Sequence, residues 1–193
     1  MTFPYHLRRA GTRVLERVPA ALRDGIYVLA FHVWRVDCDD RRPYADRGYT
    51  TESRYEEDVR NSSGQQEVRW NCAFCILDGF ERLGNVPGDP VGGPLFEAEA
   101  GRLGIWCDGA FDLGRLLDDA DPIARSDPLR LHFREAVFGL ARHLHAGGAI
   151  ERIFGRPLPV VVCDMDEPGR EEETTRAANP PELIVDFLVW RGR

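Results

Sequence analysis

The chain has 193 residues, 43% of them hydrophobic and 30% charged, a balance that suits one ordinary globular domain and lies outside the disordered range. Its formal net charge of −7 argues against nucleic acid or an anionic membrane surface as the main partner, because both need a positive field on the protein. All 25 basic side chains are arginine, so a Walker-type phosphate loop, which needs lysine, and a Schiff-base enzyme, which needs an amine, are excluded.

The N-terminal segment is basic but has no apolar run directly after it, and the apolar stretch at Ile26 to Trp34 is too short to span a bilayer. A cytoplasmic protein is expected. Residues 4 to 23 read as a helix, with Leu7, Val14, Leu15, Val18 and Leu22 on one stripe, a kink at Pro19 and a left-handed cap at Gly25. Ile26 to Val36 is apolar on both faces at first and rich in β-branched and aromatic residues, which predicts a buried inner strand. Asp37 to Arg47 reads as a polar loop around Pro43, and Gly48 to Thr50 as a short returning strand. Thr51 or Ser53 can cap a helix to about Val59.

Gln65 to Leu83 fits two patterns. Trp70, Cys72, Phe74 and Ile76 alternate as in a strand, whereas Trp70, Ala73, Leu77, Phe80 and Leu83 step as in a helix; length and polar content favour the helix. Gly84 to Pro94 is a Gly/Pro-rich surface loop, followed by a short helix at Leu95 to Leu103, a minor strand or buried turn at Ile105 to Cys107, and a helical stretch at Phe111 to Leu117. Asp127-Pro128 has the pattern of a helix start, with Phe133, Val137, Leu140 and Leu144 on one face and Gly147-Gly148 as the stop; Ala149 to Phe154 adds a further turn. Leu158 to Met165 is the second strong strand and is expected beside the first. After an acidic segment, Asn179 and Pro180 open the last helix, which buries Leu183, Ile184, Phe187 and Leu188.

Several motifs suggest chemistry. Cys72 and Cys75 form a CxxC, but it sits inside an apolar element and not at a helix start, so a redox or zinc role is disfavoured. The five cysteines have no framework spacing and are expected as reduced thiols. Asp164-Met165-Asp166 stands at a strand end, as do the carboxylates of magnesium-dependent phosphotransferases and of nucleotide-sugar transferases. The first class needs a full α/β domain after the motif and the second a Gly-rich nucleotide turn before it; neither is present. His143 and His145 are about 200° apart on a helix and cannot chelate one ion, and His132 with Glu135 reads as a surface contact. Trp34, Arg35, Tyr44 and Arg47 gather at one strand end and loop, and aromatic plus arginine is the composition of a protein-binding hot spot.

The segments IYVLAFHVW, GYTTESRYEE, EVRWNCAFCI, RPLPVVVCDMDE and RAANPPELIVDFL together resemble an uncharacterised bacterial domain-of-unknown-function family, number 4303, over about residues 24 to 189. Members of that family carry aromatic residues where this chain has Cys72 and Cys75, which implies that the CxxC is incidental. The resemblance implies no activity and no catalytic residue.

The expected fold is α+β: a single domain with a small mixed β-sheet, Ile26–Val36 and Leu158–Met165 at its centre, packed by about six helices. The expected function is a non-catalytic protein-interaction module, such as an immunity-type protein whose acidic surface neutralises a basic partner. The alternative is a metal-assisted enzyme using Asp164 and Asp166. No catalytic residue, metal ligand or cofactor is assigned. The expected binding residues are Trp34, Arg35, Tyr44, Arg47, Asp164, Asp166 and Glu167. A protein partner is expected, and neither nucleic acid nor membrane; oligomeric state does not follow from the sequence.

Overall fold

A computed structural model describes residues 1–62, 64–107, 122–166 and 169–192. Strand β1 (Ile26–Arg35) is buried along its first eight residues. It pairs antiparallel with β2 (Pro43–Thr51) and parallel with β4 (Val160–Asp164), while β3 (Ile76–Gly84) adds antiparallel to the far side of β2. The described sheet therefore has the order β3-β2-β1-β4 and is mixed. The fold is α+β, as the sequence implies.

Nine α-helical segments surround the sheet among the described residues, against the six expected. They are α1 (Phe3–Glu16), α2 (Ala20–Arg23), α3 (Glu52–Val59), α4 (Gln65–Trp70), α5 (Gly92–Arg102), α6 (Pro122–Ala146), α7 (Ala149–Phe154), α8 (Glu171–Ala178) and α9 (Val185–Arg191). Part of the surplus comes from Pro19, which divides the first helix as expected, and from Gly148, whose left-handed φ of 63° separates α6 from α7. Gly25 has no positive φ, so the expected left-handed cap there is absent.

Alternation along β1, broken by an irregularity between Ile26 and Val28, sorts the core into two layers. Leu29, Phe31 and Val33 join Phe3, Leu7 and Leu15 of α1, Phe96 of α5 and Phe133, Val137 and Leu140 of α6 in the main core. Tyr27, Val28, Trp70, Val161, Cys163, Ile184 and Phe187 form a smaller cluster on the opposite face. The crossing of α1 and α6 is close enough that a Cβ at Gly11 would lie 2.5 Å from Leu140 Cδ1, so glycine is needed there.

Four readings change. First, β2 begins at Pro43, so the expected loop is confined to 36–42; proline suits the first residue of a strand, where no ladder donor is required. Second, the helix at Gln65 ends at Trp70. Asn71 turns the chain, its side chain accepting from Ala73 N–H at 3.0 Å, and Ile76 onward pairs with β2, whose outer backbone groups need partners. Third, α6 starts at Pro122 and runs through Pro128, which forfeits one backbone hydrogen bond inside the helix. Fourth, among the described residues β4 is an edge strand and not a central one.

That edge is closed by side chains of α8, which grows from the acidic segment. Asn179 accepts from Val160 N–H at 2.7 Å and donates to Val160 O at 2.6 Å, Val162 N–H donates to Thr175 Oγ1 at 3.4 Å, and Thr174 Oγ1 donates to Val162 O. The helix thus supplies, at Val160 and Val162, what a further strand would. Asn179 is committed to this role and does not cap α9 as expected; a short 3₁₀ turn, Pro181–Leu183, leads into that helix. The expected helix at Phe111 to Leu117 lies outside the described residues.

Burial also sets a pH response. His32, 2% exposed on β1, has Nδ1 without a hydrogen-bond partner among the described residues, and its Nε2 lies 3.4 Å from Cys72 O. Burial lowers its pKa, and burial likewise lowers that of His145, against the opposing bond to Asn179. Both rings are therefore held neutral in the fold, while the unfolded chain binds their protons below about pH 6.5. Stability should fall as pH drops from about 6.5 towards the lowered native values. Thermal melts from pH 7.5 to 5 check this, and His32→Gln should flatten the slope; an unchanged slope in that variant removes His32 as its source.

Candidate functional site

The expected site residues converge in part where parallel strands β1 and β4 end, the position at which open sheets usually present ligand-binding groups. Val33 and Asp164 are register partners, and Met165 N–H donates to Val33 O at 2.9 Å. The chain then turns so that Asp166 reaches back to β1. Asp166 Oδ2 accepts from both the backbone N–H and the Nε of Arg35, each at 3.0 Å. Arg35 Nη1 reaches Asp40 Oδ1 at 3.2 Å, and Nη2 reaches Asp164 Oδ1 at 3.5 Å. One guanidinium, its side chain only 8% exposed, thereby ties the end of β1, the β1–β2 connection and the turn after β4.

Asp164 is the most enclosed member, with a side chain 1% exposed. Its Oδ1 also accepts from Asp166 N–H at 3.2 Å. Its Oδ2 makes no hydrogen bond among the described residues and faces Arg134 Nη1 of α6 at 3.9 Å. Burial pushes the Asp164 carboxyl above its ordinary value, and Arg35 pulls against that shift. Burial, with the like charge of Arg170, lowers the Arg134 pKa. Next to this cluster Asp39 is gripped by Arg41 through Nε at 2.9 Å and Nη2 at 2.6 Å. Asp37 and Cys38 both adopt left-handed φ, 55° and 57°, in the tight connection 36–42.

The other expected residues do not join this cluster. Trp34 and Tyr44 are cross-strand partners one position away from Arg35, with Arg82 stacked 4.8 Å from the Tyr44 ring centre. Arg47 is corrected outright: it is 6% exposed on β2 opposite Phe31, donates to Val14 O of α1, and belongs to the core. Period-two alternation sends it inward, which a loop reading of 37–47 concealed. Glu167 lies outside the described residues. Among the described residues no group of three or more His, Cys, Asp or Glu is arranged to hold a metal ion.

The cysteines also depart from expectation. Cys72 is disulfide-bonded to Cys163 on β4, with Cα atoms 6.8 Å apart, so two of the five expected thiols are paired. Cys75 does not take part. Thr50 Oγ1 donates to its sulfur at 3.5 Å, and burial pushes the thiol up to about 11, which removes it as a nucleophile at neutral pH. Of the histidines, His145 meets Asn179 Oδ1 at 3.2 Å, and His132 meets Glu99 of α5 at 3.2 Å, not Glu135.

A second feature has no counterpart in the sequence reading. A groove of about 450 Å³ runs between the α4–β3 connection and α9, bordered by Glu67, Trp70, the Cys72–Cys163 disulfide, Met165, Glu171 and Trp190. Trp70, Phe187 and Trp190 pack as a chain of rings with centroids 5.8 Å apart at each step. Trp70 and Trp190 are 120 positions apart, so no local pattern could have joined them.

Comparison with family models, with curated proteins and with solved structures finds no significant match.

Proposed function

We propose that the protein is a non-catalytic binding module, of the immunity type, that presents carboxylates to a basic protein partner. The observation that carries this reading is the engagement of the Asp164/Asp166 pair by an arginine of its own chain. Arg35 engages both carboxylates and Arg134 faces the first. A metal-assisted enzyme needs those oxygens open to a cation or substrate; here a guanidinium fills that position. The geometry instead makes a firm strand-end clasp. Carboxylates left exposed elsewhere supply the charge: Glu56 and Glu57 on α3, with Glu182 and Asp186 at α9, lie on helices of the smaller cluster's side.

The chain's resemblance to the uncharacterised bacterial family remains part of this proposal and adds no activity to it. Composition supports a cytoplasmic location. In that reducing compartment Cys72 and Cys163 would rest as thiols and join on oxidation. No helix among the described residues is long and apolar enough to cross a membrane.

The test is reconstitution. Tagged protein is recovered from its source cells, the co-purifying chain is identified and purified, and the pair is titrated by calorimetry. A basic partner, near 1:1 stoichiometry and weakening with added salt are expected. Turnover in a magnesium-supplemented phosphatase or nucleotide-sugar screen, lost in Asp164→Asn, would overturn the reading in favour of a metal-assisted enzyme.

A further inference from the structure

We infer that reduction of the Cys72–Cys163 bond assembles a zinc site from Cys72, Cys75, Cys163 and His32, and that oxidation dismantles it. Three thiolates and one imidazole are a set that tetrahedral structural zinc takes. Sulfur donors also select such soft or borderline metals over the hard cations that carboxylates hold. A CxxC by itself is half of that set. The fold brings the other half, His32 from β1 and Cys163 from β4.

The four side chains gather on the sheet face that carries the smaller cluster. Cys163 belongs to that cluster and is bonded to Cys72. His32 is the register partner of Cys163 in the parallel ladder, and paired residues project on the same side. His32 and Cys75 meet over Gly48 of β2. A Cβ at Gly48 would lie 2.6 Å from His32 Cε1 and 3.2 Å from both His32 Nδ1 and Cys75 Cβ, so glycine leaves the space in which ring and thiol approach. The CxxC turn is already fixed: Cys75 N–H donates to Cys72 O at 3.0 Å, and Asn71 Oδ1 holds Ala73 N–H. Thr50 Oγ1 donates to the Cys75 sulfur, the contact that an outer hydrogen bond makes to a metal-bound thiolate. The second observation is the imidazole itself. It is buried, its Nδ1 has no partner among the described residues, and its Nε2 has only a 3.4 Å contact with Cys72 O. A buried polar atom left in that state calls for a partner, and an ion supplies one.

With Cys72 and Cys163 joined, two of the four ligands are closed, and no group of three is arranged for an ion among the described residues. Opening the bond returns them. Two low-molecular-weight thiols pass two electrons and two protons to the pair and leave as their own disulfide, and Cys72 and Cys163 become thiols. Zn²⁺ then displaces one proton from each of the three cysteines and takes neutral His32 as its fourth ligand. The two sulfurs need only part to about 3.8 Å, the spacing of two ligands each about 2.3 Å from zinc at the tetrahedral angle. Hydrogen peroxide reverses the step: it accepts two electrons from Cys72 and Cys163, takes two protons and leaves as two waters, and the ion is released. Cys72 and Cys163 border the groove described above, so thiol, ion and peroxide all have a way in.

The experiment uses the full chain and Zn²⁺ itself. Metal-free protein is mixed with Zn²⁺ with and without a phosphine reductant, desalted and analysed for metal. The reduced protein should retain about one zinc per chain and the disulfide form none. Co²⁺ in place of zinc should give the intense visible absorption of a tetrahedral thiolate complex. Cys75→Ser and His32→Gln should each weaken zinc binding at least about tenfold, whereas Cys38→Ser and Cys107→Ser should leave it unchanged. Peroxide added to the zinc-loaded wild type should release the ion in step with the loss of two thiols, a readout that needs no variant to fold. Reduced protein that keeps no zinc, zinc held equally well by Cys75→Ser, or oxidation that leaves the ion bound overturns the site. None of these readouts involves a partner, so the binding reading stands or falls separately.

Discussion

Replacing Arg35 by alanine should cost roughly 3–5 kcal/mol of folding stability, the scale seen when one partner is removed from a buried ion pair. The variant would leave Asp164 enclosed with a side-chain exposure of 1%, and among the described residues Arg134 at 3.9 Å would be the remaining cation beside it. Asp166 would lose its contact to Arg35 Nε while keeping the one to the backbone N–H, and Asp40 would lose its one. For a chain of this length the expected fall in Tm is on the order of 10 °C. Asp166→Asn should cost far less, because its side chain is 21% exposed and water can replace the lost charge pairing. The variants also separate structure from recognition. The clasp fixes the turn after β4, so Arg35→Ala should act on stability first and on partner affinity only through it. A loss below about 1 kcal/mol in a denaturant melt would show that the network adds little beyond solvation, and the description of Arg35 as a clasp would have to go.

The parts of this fold that were legible in the sequence are those in which one physical rule acts alone. The apolar run of β1 is buried whichever way it pairs, so its composition suffices. The stripe on α1, the cap at Thr51 and the stop at Gly148 are local signals read locally: Thr51 Oγ1 does accept from Arg54 N–H, at 3.2 Å. The failures come where a tertiary demand overrules a local pattern. Ile76 to Gly84 suits a helix by length and polarity, but β2 presents an unpaired edge and the chain fills it. Asn179 has the form of a helix cap, yet the bare edge of β4 offers it two stronger obligations. At the site, Arg35 and Asp166 are 131 residues apart, and a strand-end argument could still join them because the two strands were expected side by side. No comparable argument reached Trp70 and Trp190, which are 120 positions apart on different helices, or Cys163, whose partner lies across the smaller cluster.

That last pairing carries the other large effect. The Cys72–Cys163 bond closes 91 residues, and the chain-entropy model assigns such a loop about 4–5 kcal/mol at room temperature. Measured disulfides usually deliver less, so reduction should remove about 2–4 kcal/mol and lower Tm by on the order of 10 °C. Alkylation gives an independent count: unfolded without reductant, the protein should take three adducts, at Cys38, Cys75 and Cys107, and five after reduction. Cys163→Ala should reproduce the loss and become insensitive to reductant, whereas Cys38→Ser, at an exposed position, should change neither value. Five adducts without reductant, or a wild-type melt that reductant does not move, would remove the cross-link. The bond also ties the turn after α4 to β4, and both borders of the groove hang from it. Reduction should therefore loosen Trp70 as well as lower Tm. A cross-link that acted on the unfolded chain alone would lower Tm on reduction and leave Trp70 in place.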